Sequence, residues 1–497
     1  FTSNFFDTNT SGQLTGIGAT AKTTAEMNIF STFILAGWDF KGLGPSEIWN
    51  IGNGRNNGYP YFDWQYPSDP SLVEQPMGSG TEADPYQIQT FANLLWIPLS
   101  MASWDKHFVQ TSEIDATIND VMEAGWIPVG NSTTPFTGSY NGQGNSINGL
   151  WINSNDTNVG FFGNISGAVI KKVALTDVDI TGGLSVGSVA GHADNSSIIE
   201  CACSGTIYGS DLTGGIAGDI SNNSSISNCY SISDVYRLSG ETGVGFGAFC
   251  GANGSSLIEY SYTAGSVFYI DSSDPSDKGF VGSDVSPVYT SNFWDADVSN
   301  QLSALGADSR TTPEMKDHQT FISVGWDFKS IGPQGIWNIG NLRNDGYPYL
   351  SCQYPLDPGF FDPPAGSGTP EDPYRIIDLP DLKWVSENKS LWDKHFVQLA
   401  DIDASETATW NGGAGFSKIG YSNCSTLAFC GTYDGQCHTI DGLTINEPDS
   451  ISVGFFGYVR APAIIKNLRL TNVDISGKFF VGGLAGTVQG NVYGTDT

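Results

Sequence analysis

Val186-Gly187-Ser188-Val189-Ala190-Gly191 is answered 27 residues later by Thr213-Gly214-Gly215-Ile216-Ala217-Gly218, and Gly247-Ala248-Phe249-Cys250-Gly251 follows after 33 more. Each is trailed by a short alternating run: Ile198-Ile199-Glu200-Cys201-Ala202-Cys203, Ile226-Ser227-Asn228-Cys229-Tyr230 and Leu257-Ile258-Glu259-Tyr260-Ser261-Tyr262. A period near two is strand periodicity, not helix periodicity. Short strands punctuated by Gly, Asn, Asp and Ser at coil-like intervals predict an all-β chain wound as a stacked solenoid. No coil of such a fold buries its inward residues alone, so the coils above and below complete its core. Val159-Gly160-Phe161-Phe162-Gly163 and Val453-Gly454-Phe455-Phe456-Gly457 read as that filling.

A longer repeat surrounds the short one. Residues 1–67 match 289–355 at a constant offset of 288, with about 39 of 67 positions identical. Gly37-Trp38-Asp39-Phe40-Lys41 returns as Gly325-Trp326-Asp327-Phe328-Lys329, and Gly58-Tyr59-Pro60-Tyr61 as Gly346-Tyr347-Pro348-Tyr349. The offset drifts to 293 at Tyr140/Tyr433 and to 295 at Val186/Val481. This predicts four segments: 1–70, the Trp-rich tail of a preceding module; 71–288, a first β-helix module; 289–357, a Trp-rich flank repeating the first; and 358–497, a partial second module. Glu26-Met27 and Glu314-Met315 are expected to begin short helices in the flanks.

Composition bounds the function. Fifty-two acidic against 21 basic side chains give a formal charge of −31, which argues against nucleic acid and anionic membranes as partners. Hydrophobic content of 39% is too high for a disordered polyanion. No run approaches the roughly 18–20 apolar residues of a membrane span, and the start, Phe1-Thr2-Ser3-Asn4, reads as a processed or trimmed end. The eight cysteines form no C-x-x-C pair, which removes the signals of a zinc ribbon or thioredoxin-like site. Ten N-x-S/T acceptors, few lysines and an even cysteine count point outside the cell.

Gly482-Gly483-Leu484-Ala485-Gly486, Gly214-Gly215-Ile216-Ala217-Gly218, the preceding Ile465-Lys466-Asn467-Leu468 and Asn472-Val473-Asp474-Ile475, and Tyr140-Asn141-Gly142-Gln143-Gly144 resemble the GLUG-motif proteins of bacterial and archaeal cell surfaces. The resemblance covers about 78–270 and 366–490. It implies right-handed parallel β-helices in large secreted, adhesin-like chains.

Parallel β-helices also include polysaccharide lyases and hydrolases, so acidic residues recurring between the copies are catalytic candidates: Asp105/Asp393, Glu113/Asp401 and Asp115/Asp403. Asp177 and Asp179 have the i, i+2 spacing that shares a strand face, although Asp177 becomes Asn472 in the second copy. His107 and His395 sit in a repeated Trp-Asp-Lys-His-Phe-Val-Gln and read as structural. Asp271, Asp274 and Asp277 are the one calcium candidate, without an EF-hand pattern; no cofactor is otherwise expected. Cys201 and Cys229 are predicted to share a column of adjacent coils, and one bridge is expected among Cys424, Cys430 and Cys437. Asn195, Asn222 and Asn253 are the expected glycosylation sites, in polar turns. The leading expectation is a non-enzymatic extracellular structural protein whose modules join head to tail, through an edge at 481–497, into a surface layer, sheath or filament. The alternatives are an adhesin binding surface glycans and, third, a polysaccharide-degrading enzyme.

Overall fold

The computed structural model describes residues 3–43, 46–117, 125–329, 331–340, 343–357, 359, 363–421 and 427–489. The chain divides into two compact units, Phe1–Thr311 with Cys352–Tyr354, and Thr312–Ser351 with Pro355–Thr497.

In unit 1 the alternating runs wind as a parallel β-solenoid. One face is an eight-stranded sheet from Tyr86–Ile88 to Val288–Thr290, and another is a five-stranded sheet from Phe162–Ser166 to Val281–Val285. Successive coils stack in register, so like residues form columns. Phe108, Tyr140, Ile170, Ile198, Ile226 and Ile258 make one inward column, and none is more than 1% exposed. Each buried isoleucine contributes about 1.5–3 kcal/mol, but only when neighbouring coils are present to bury it.

The corners explain the non-apolar letters of the motif. Lys172, Glu200, Asn228, Tyr260 and Ser291 all take positive φ between 48° and 55°, one per coil, turning the chain between faces. After Asn228, Tyr260 and Ser291 the next residue accepts, through its side chain, from the coil before it. Cys201 N–H donates to Cys229 Sγ at 3.2 Å, Cys229 N–H to Ser261 Oγ at 3.1 Å and Ser261 N–H to Asn292 Oδ1 at 3.1 Å. Buried amides are thereby satisfied where no sheet ladder reaches them. The last glycine of each motif meets backbone: a Cβ on Gly191, Gly218 or Gly251 would lie 2.3–2.4 Å from the main chain of the preceding coil. No side chain fits there, which is why glycine recurs at that step.

Unit 2 repeats the plan. Tyr374–Ile376, His395–Gln398, Thr432–Asp434 and Ile464–Lys466 form a four-stranded parallel sheet. Of the edge expected at 481–497, Ala485–Gln489 pairs with Phe456–Arg460, and residues 490–497 lie outside the described residues.

The flanks hold the two antiparallel hairpins among the described strand pairs, Trp49–Asn50 with Tyr61–Phe62 and Trp337–Asn338 with Tyr349–Leu350. Arg55 grips Asp69 through two nitrogens at 2.8 and 3.0 Å, and Arg343 grips Asp357 at 2.8 and 3.2 Å. Short helices are present at Thr24–Met27 and Thr312–Met315, but Glu26-Met27 and Glu314-Met315 end them and do not begin them. The boundary expected at 288/289 is corrected, because Phe293–Asp295 pairs in parallel with Tyr262–Thr263 and with Asp308–Arg310. Those strands finish the solenoid. The equivalent strands of the first copy, Phe5–Asp7 and Thr20–Lys22, likewise pair in parallel. A sequence repeat marks where the chain was duplicated, and a coil can straddle that point.

Candidate functional site

Of the recurring carboxylates, Asp115 and Asp403 cap the turn that follows them. Asp115 Oδ1 accepts from Thr117 N–H at 2.9 Å and from its hydroxyl at 2.6 Å; these bonds hold its carboxyl below the usual range. Asp403 caps Ser405 in the same way. Asp401 accepts from Thr439 N–H at 2.7 Å and lies 3.3 Å from His438 Nδ1. Asp105 and Asp393 pair with the neighbouring Lys106 and Lys394 on the surface. Asp177 and Asp179 are both exposed on either side of buried Val178, as the spacing implies, but the strand is irregular there: the register shifts between Leu175 and Val178, and Asp177 takes φ 51°. Asn472 takes φ 50° at the matching point, so Asp and Asn interchange there because both tolerate the left-handed region. His107 Nδ1 meets Ser139 Oγ at 2.8 Å.

The calcium reading is also corrected. Asp271 accepts from Arg237 and from Gly240 N–H, and Asp274 accepts from Tyr269 N–H at 3.0 Å. Asp277 lies 3.6 Å from Lys278. Among the described residues no group of three His, Cys, Asp or Glu converges as a metal site. Cys201 and Cys229 stand in adjacent coils as expected, both as free buried thiols, and burial pushes the Cys229 thiol well up. Cys430 and Cys437 are free, on opposite sides of Thr432–Asp434, so no bridge joins them; Cys424 lies outside the described residues. Asn195 and Asn222 are exposed in turns. Asn253 is not: it occupies an inward strand position opposite Ile220, is 1% exposed, and bonds Ser256 through both ends of its amide. It stands two residues earlier in the coil than the other two.

Unit 2 also buries a polar pair that is not among the sequence candidates. His318 and Lys383 are 5% and 8% exposed, with Lys383 Nζ 2.8 Å from His318 Nδ1. Burial pushes Lys383 down to about 8, and burial together with the Lys383 charge pushes His318 down to about 3. Asp317, Glu387 and Glu406 are the neighbouring acids, and Lys383 Nζ lies 4.9 Å from the Trp410 ring centre. On the same helix, Leu379–Glu387, Asp378 Oδ1 accepts from Asp381 N–H while Asp381 Oδ2 accepts from Ile377 N–H. That reciprocal cap is half-buried, and burial pushes Asp381 up to about 7.

A cleft of about 290 Å³ lies alongside, lined by Leu379, Pro380, Ile402 and Trp410 with Asp378, Asp401, Asp403 and Glu406 among the rest. One signal was available: His318 and Lys383 replace Phe30 and Leu95 of the first copy, two changes of polarity at apolar positions in a well-matched repeat.

Comparison with known proteins is sparse. No family model matches the chain. It is 41% identical over 128 residues to Halomucin of Haloquadratum walsbyi, covering 26% of this chain and 1% of that protein. It is 36% identical over 107 residues to a protein of Evansella cellulosilytica whose name reads Gly-rich membrane protein, covering 21% of this chain and 12% of that one. The chain thus spans a small part of the curated relatives it matches. A crystal structure from Bacteroides ovatus, titled as an immunoglobulin A1 protease candidate, covers 57% of this chain and 96% of its own at 18% identity, with a TM-score of 0.43.

Proposed function

We propose that this chain is a non-enzymatic extracellular surface protein whose β-solenoid modules act as building blocks of a cell-surface layer, sheath or filament, joined head to tail. The observation that carries this reading is the use made of one recurring carboxylate: Asp115 and Asp403 cap the turn that follows them in both copies, although Asp403 also lines the cleft of unit 2. In both copies this repeated carboxylate fixes the turn that leads out of a strand, a structural use that suits a stacked module. The name of one relative, a membrane protein, agrees with a place at the cell envelope. Among the described residues no helix is long and apolar enough to cross a membrane. A net charge of −31 would keep unassembled chains apart until salt screens it.

Electron microscopy of native surface material, with antibody against the chain, tests this. Labelled regular polymer or continuous coat is the expected result; label confined to dispersed soluble protein would defeat it. The second reading, an adhesin for surface glycans, is favoured by the acid-rimmed cleft beside Trp410. Glycan-array binding that disappears with Trp410→Ala would promote it.

A further inference from the structure

The cleft of unit 2 interleaves two chemistries. Ile377, Leu379, Pro380, Ile402 and Trp410 give it an apolar lining, and Asp378, Asp401, Asp403 and Glu406 stand among them. Each carboxyl is oriented through an oxygen. Asp378 Oδ1 accepts from Asp381 N–H at 3.0 Å, Asp401 Oδ1 from Thr439 N–H at 2.7 Å, Asp403 Oδ1 from Ser405 N–H at 2.9 Å, and Glu406 Oε1 from the Trp410 indole N–H at 3.3 Å. A carboxylate has room for about four such bonds, so all four keep capacity for a donor from outside.

Opposite charge is short in this cleft. Asp401 has His438 Nδ1 at 3.3 Å and Arg469 nearby, and Glu406 neighbours Lys383, whereas among the described residues no base acts on Asp378 or Asp403. Burial without such compensation pushes the Asp378 carboxyl up. The first copy closes the same frame without these parts. Thr90 caps its helix at the Asp378 position with no charge, and no tryptophan lies between Asp115 and Gly125, the stretch matching 403–415. Neither Asp378 nor Trp410 is thus a requirement of the solenoid.

The carboxylates do not converge: among the described residues no group of three His, Cys, Asp or Glu gathers as a metal site. Charge spread along an apolar lining suits a ligand whose own charges are spread along an apolar chain. A volume of about 290 Å³ admits a small molecule and not a folded partner. We propose that this cleft binds a linear aliphatic polyamine, its ammonium groups on Asp378, Asp403 and Glu406 and its methylenes against Leu379, Ile402 and Trp410. Trp410 already carries one ammonium, that of Lys383, 4.9 Å from its ring centre. Indole attracts cations to its face through the ring quadrupole. Binding here needs unit 2 alone and no second chain.

Spermidine is the probe, titrated into the full chain by calorimetry in about 0.1 M salt, which screens its loose attraction to a chain of charge −31. One saturable site is expected, and Mg²⁺ at matched ionic strength should not displace the amine. Asp378→Asn, which keeps the helix cap, and Glu406→Gln are each expected to weaken binding about tenfold. Glu113→Gln, at the first-copy counterpart of Asp401, should leave it unchanged. Hydrogen exchange of residues 376–410 in the wild type should slow with spermidine present, a reading that depends on no variant's folding. Unsaturable binding that all three variants lower alike, or displacement by Mg²⁺, would overturn the site and assign the effect to general charge. A neutral oligosaccharide that displaces spermidine and still binds the Asp378→Asn chain would overturn the cationic occupant in favour of a glycan.

Discussion

Phe30 and Leu95 of the first copy and His318 and Lys383 of the second occupy matching positions in matching helices and flanks. The first pair belongs to the continuous apolar core of unit 1 and is at most 2% exposed. The second is nearly as buried, yet it places an ammonium 2.8 Å from an imidazole. The backbone frame therefore tolerates two interiors of opposite polarity. An apolar pair gains by leaving water, whereas a buried cation must recover its lost hydration from neighbours. Lys383 recovers part of it from the Trp410 face and from nearby acids, and its depression from the ordinary 10.5 to about 8 measures what is not recovered, ~3 kcal/mol. Unit 2 has exchanged stability for a polar interior that unit 1 lacks.

The largest expected effect breaks the comparison in the apolar copy. Leu95→Lys alone puts an unpaired charge among Phe and Trp side chains and should cost on the order of 4 kcal/mol. Adding Phe30→His should return at least 1 kcal/mol of that, as a coupling between the two sites. Hydrogen exchange of residues 88–110 reads both; additive effects would show that the pair in unit 2 owes its tolerance to Trp410 and the acids, not to its own contact.

The reverse experiment comes next in size. His318→Phe with Lys383→Leu should stabilise unit 2 by about 3 kcal/mol at pH 7, as buried polar pairs often do when replaced by apolar side chains. The gain has a sign in pH. Because the folded Lys383 value lies below the ordinary one, the penalty is fully present below pH 8 and is relieved as pH rises toward 10.5. The double variant should therefore outlast the wild type more at pH 7 than near pH 10, and more still below pH 6.5, where the unfolded chain protonates His318 and the folded chain does not, measured by exchange of residues 376–398.

What was readable beforehand follows the same division. The solenoid was legible because its rules are local and periodic: an inward residue every second position and a glycine where coils meet; the left-handed corners at Glu200, Asn228 and Tyr260 were not, because none of the three is a glycine. The Cys201/Cys229 column followed from that period. Asn253 was misplaced because a sequon carries no information about which side of a strand it faces. The calcium loop failed because Arg237, 34 residues away in sequence, claims Asp271. His318 and Lys383 are 65 residues apart. The repeat shows each as a mismatch, and only the fold brings the two mismatches together.

Asp381 offers a smaller and sharper test, because the first copy has Asn93 there with the same bond, accepted from Gln89 N–H at 3.2 Å. A folded value raised to about 7 means that unit 2 keeps its full stability below pH 4 and loses part of it as pH rises through 7. Asp381→Asn should preserve the cap, add about 2 kcal/mol above pH 7, and add nothing at pH 4. A gain of equal size at both pH values would assign the effect to packing instead of charge.

The smallest effect comes from a titratable pair that unit 1 keeps at its surface. His192 Nδ1 and Asp219 Oδ2 lie 2.8 Å apart in adjacent coils, each with 24% of its side chain exposed. Unit 2 has Thr487 at the His192 position, bonded to Ser452. The bond to Asp219 outweighs burial and raises the imidazole above its ordinary value. The contribution is thus complete below pH 6.5, provided Asp219 is ionised, and disappears as pH rises through the raised value. Partly exposed pairs are worth little, so Asp219→Asn should cost about 0.5–1 kcal/mol at pH 6 and nothing at pH 9, followed by thermal melts alongside an NMR titration of His192. An equal loss at both pH values would mean that Asp219 acts as a ladder hydrogen-bond acceptor and not as a charge. The expected contrast with Lys383 is the useful quantity: charges of the same kind, placed on the coil instead of inside it, should change stability several-fold less and in the opposite pH direction.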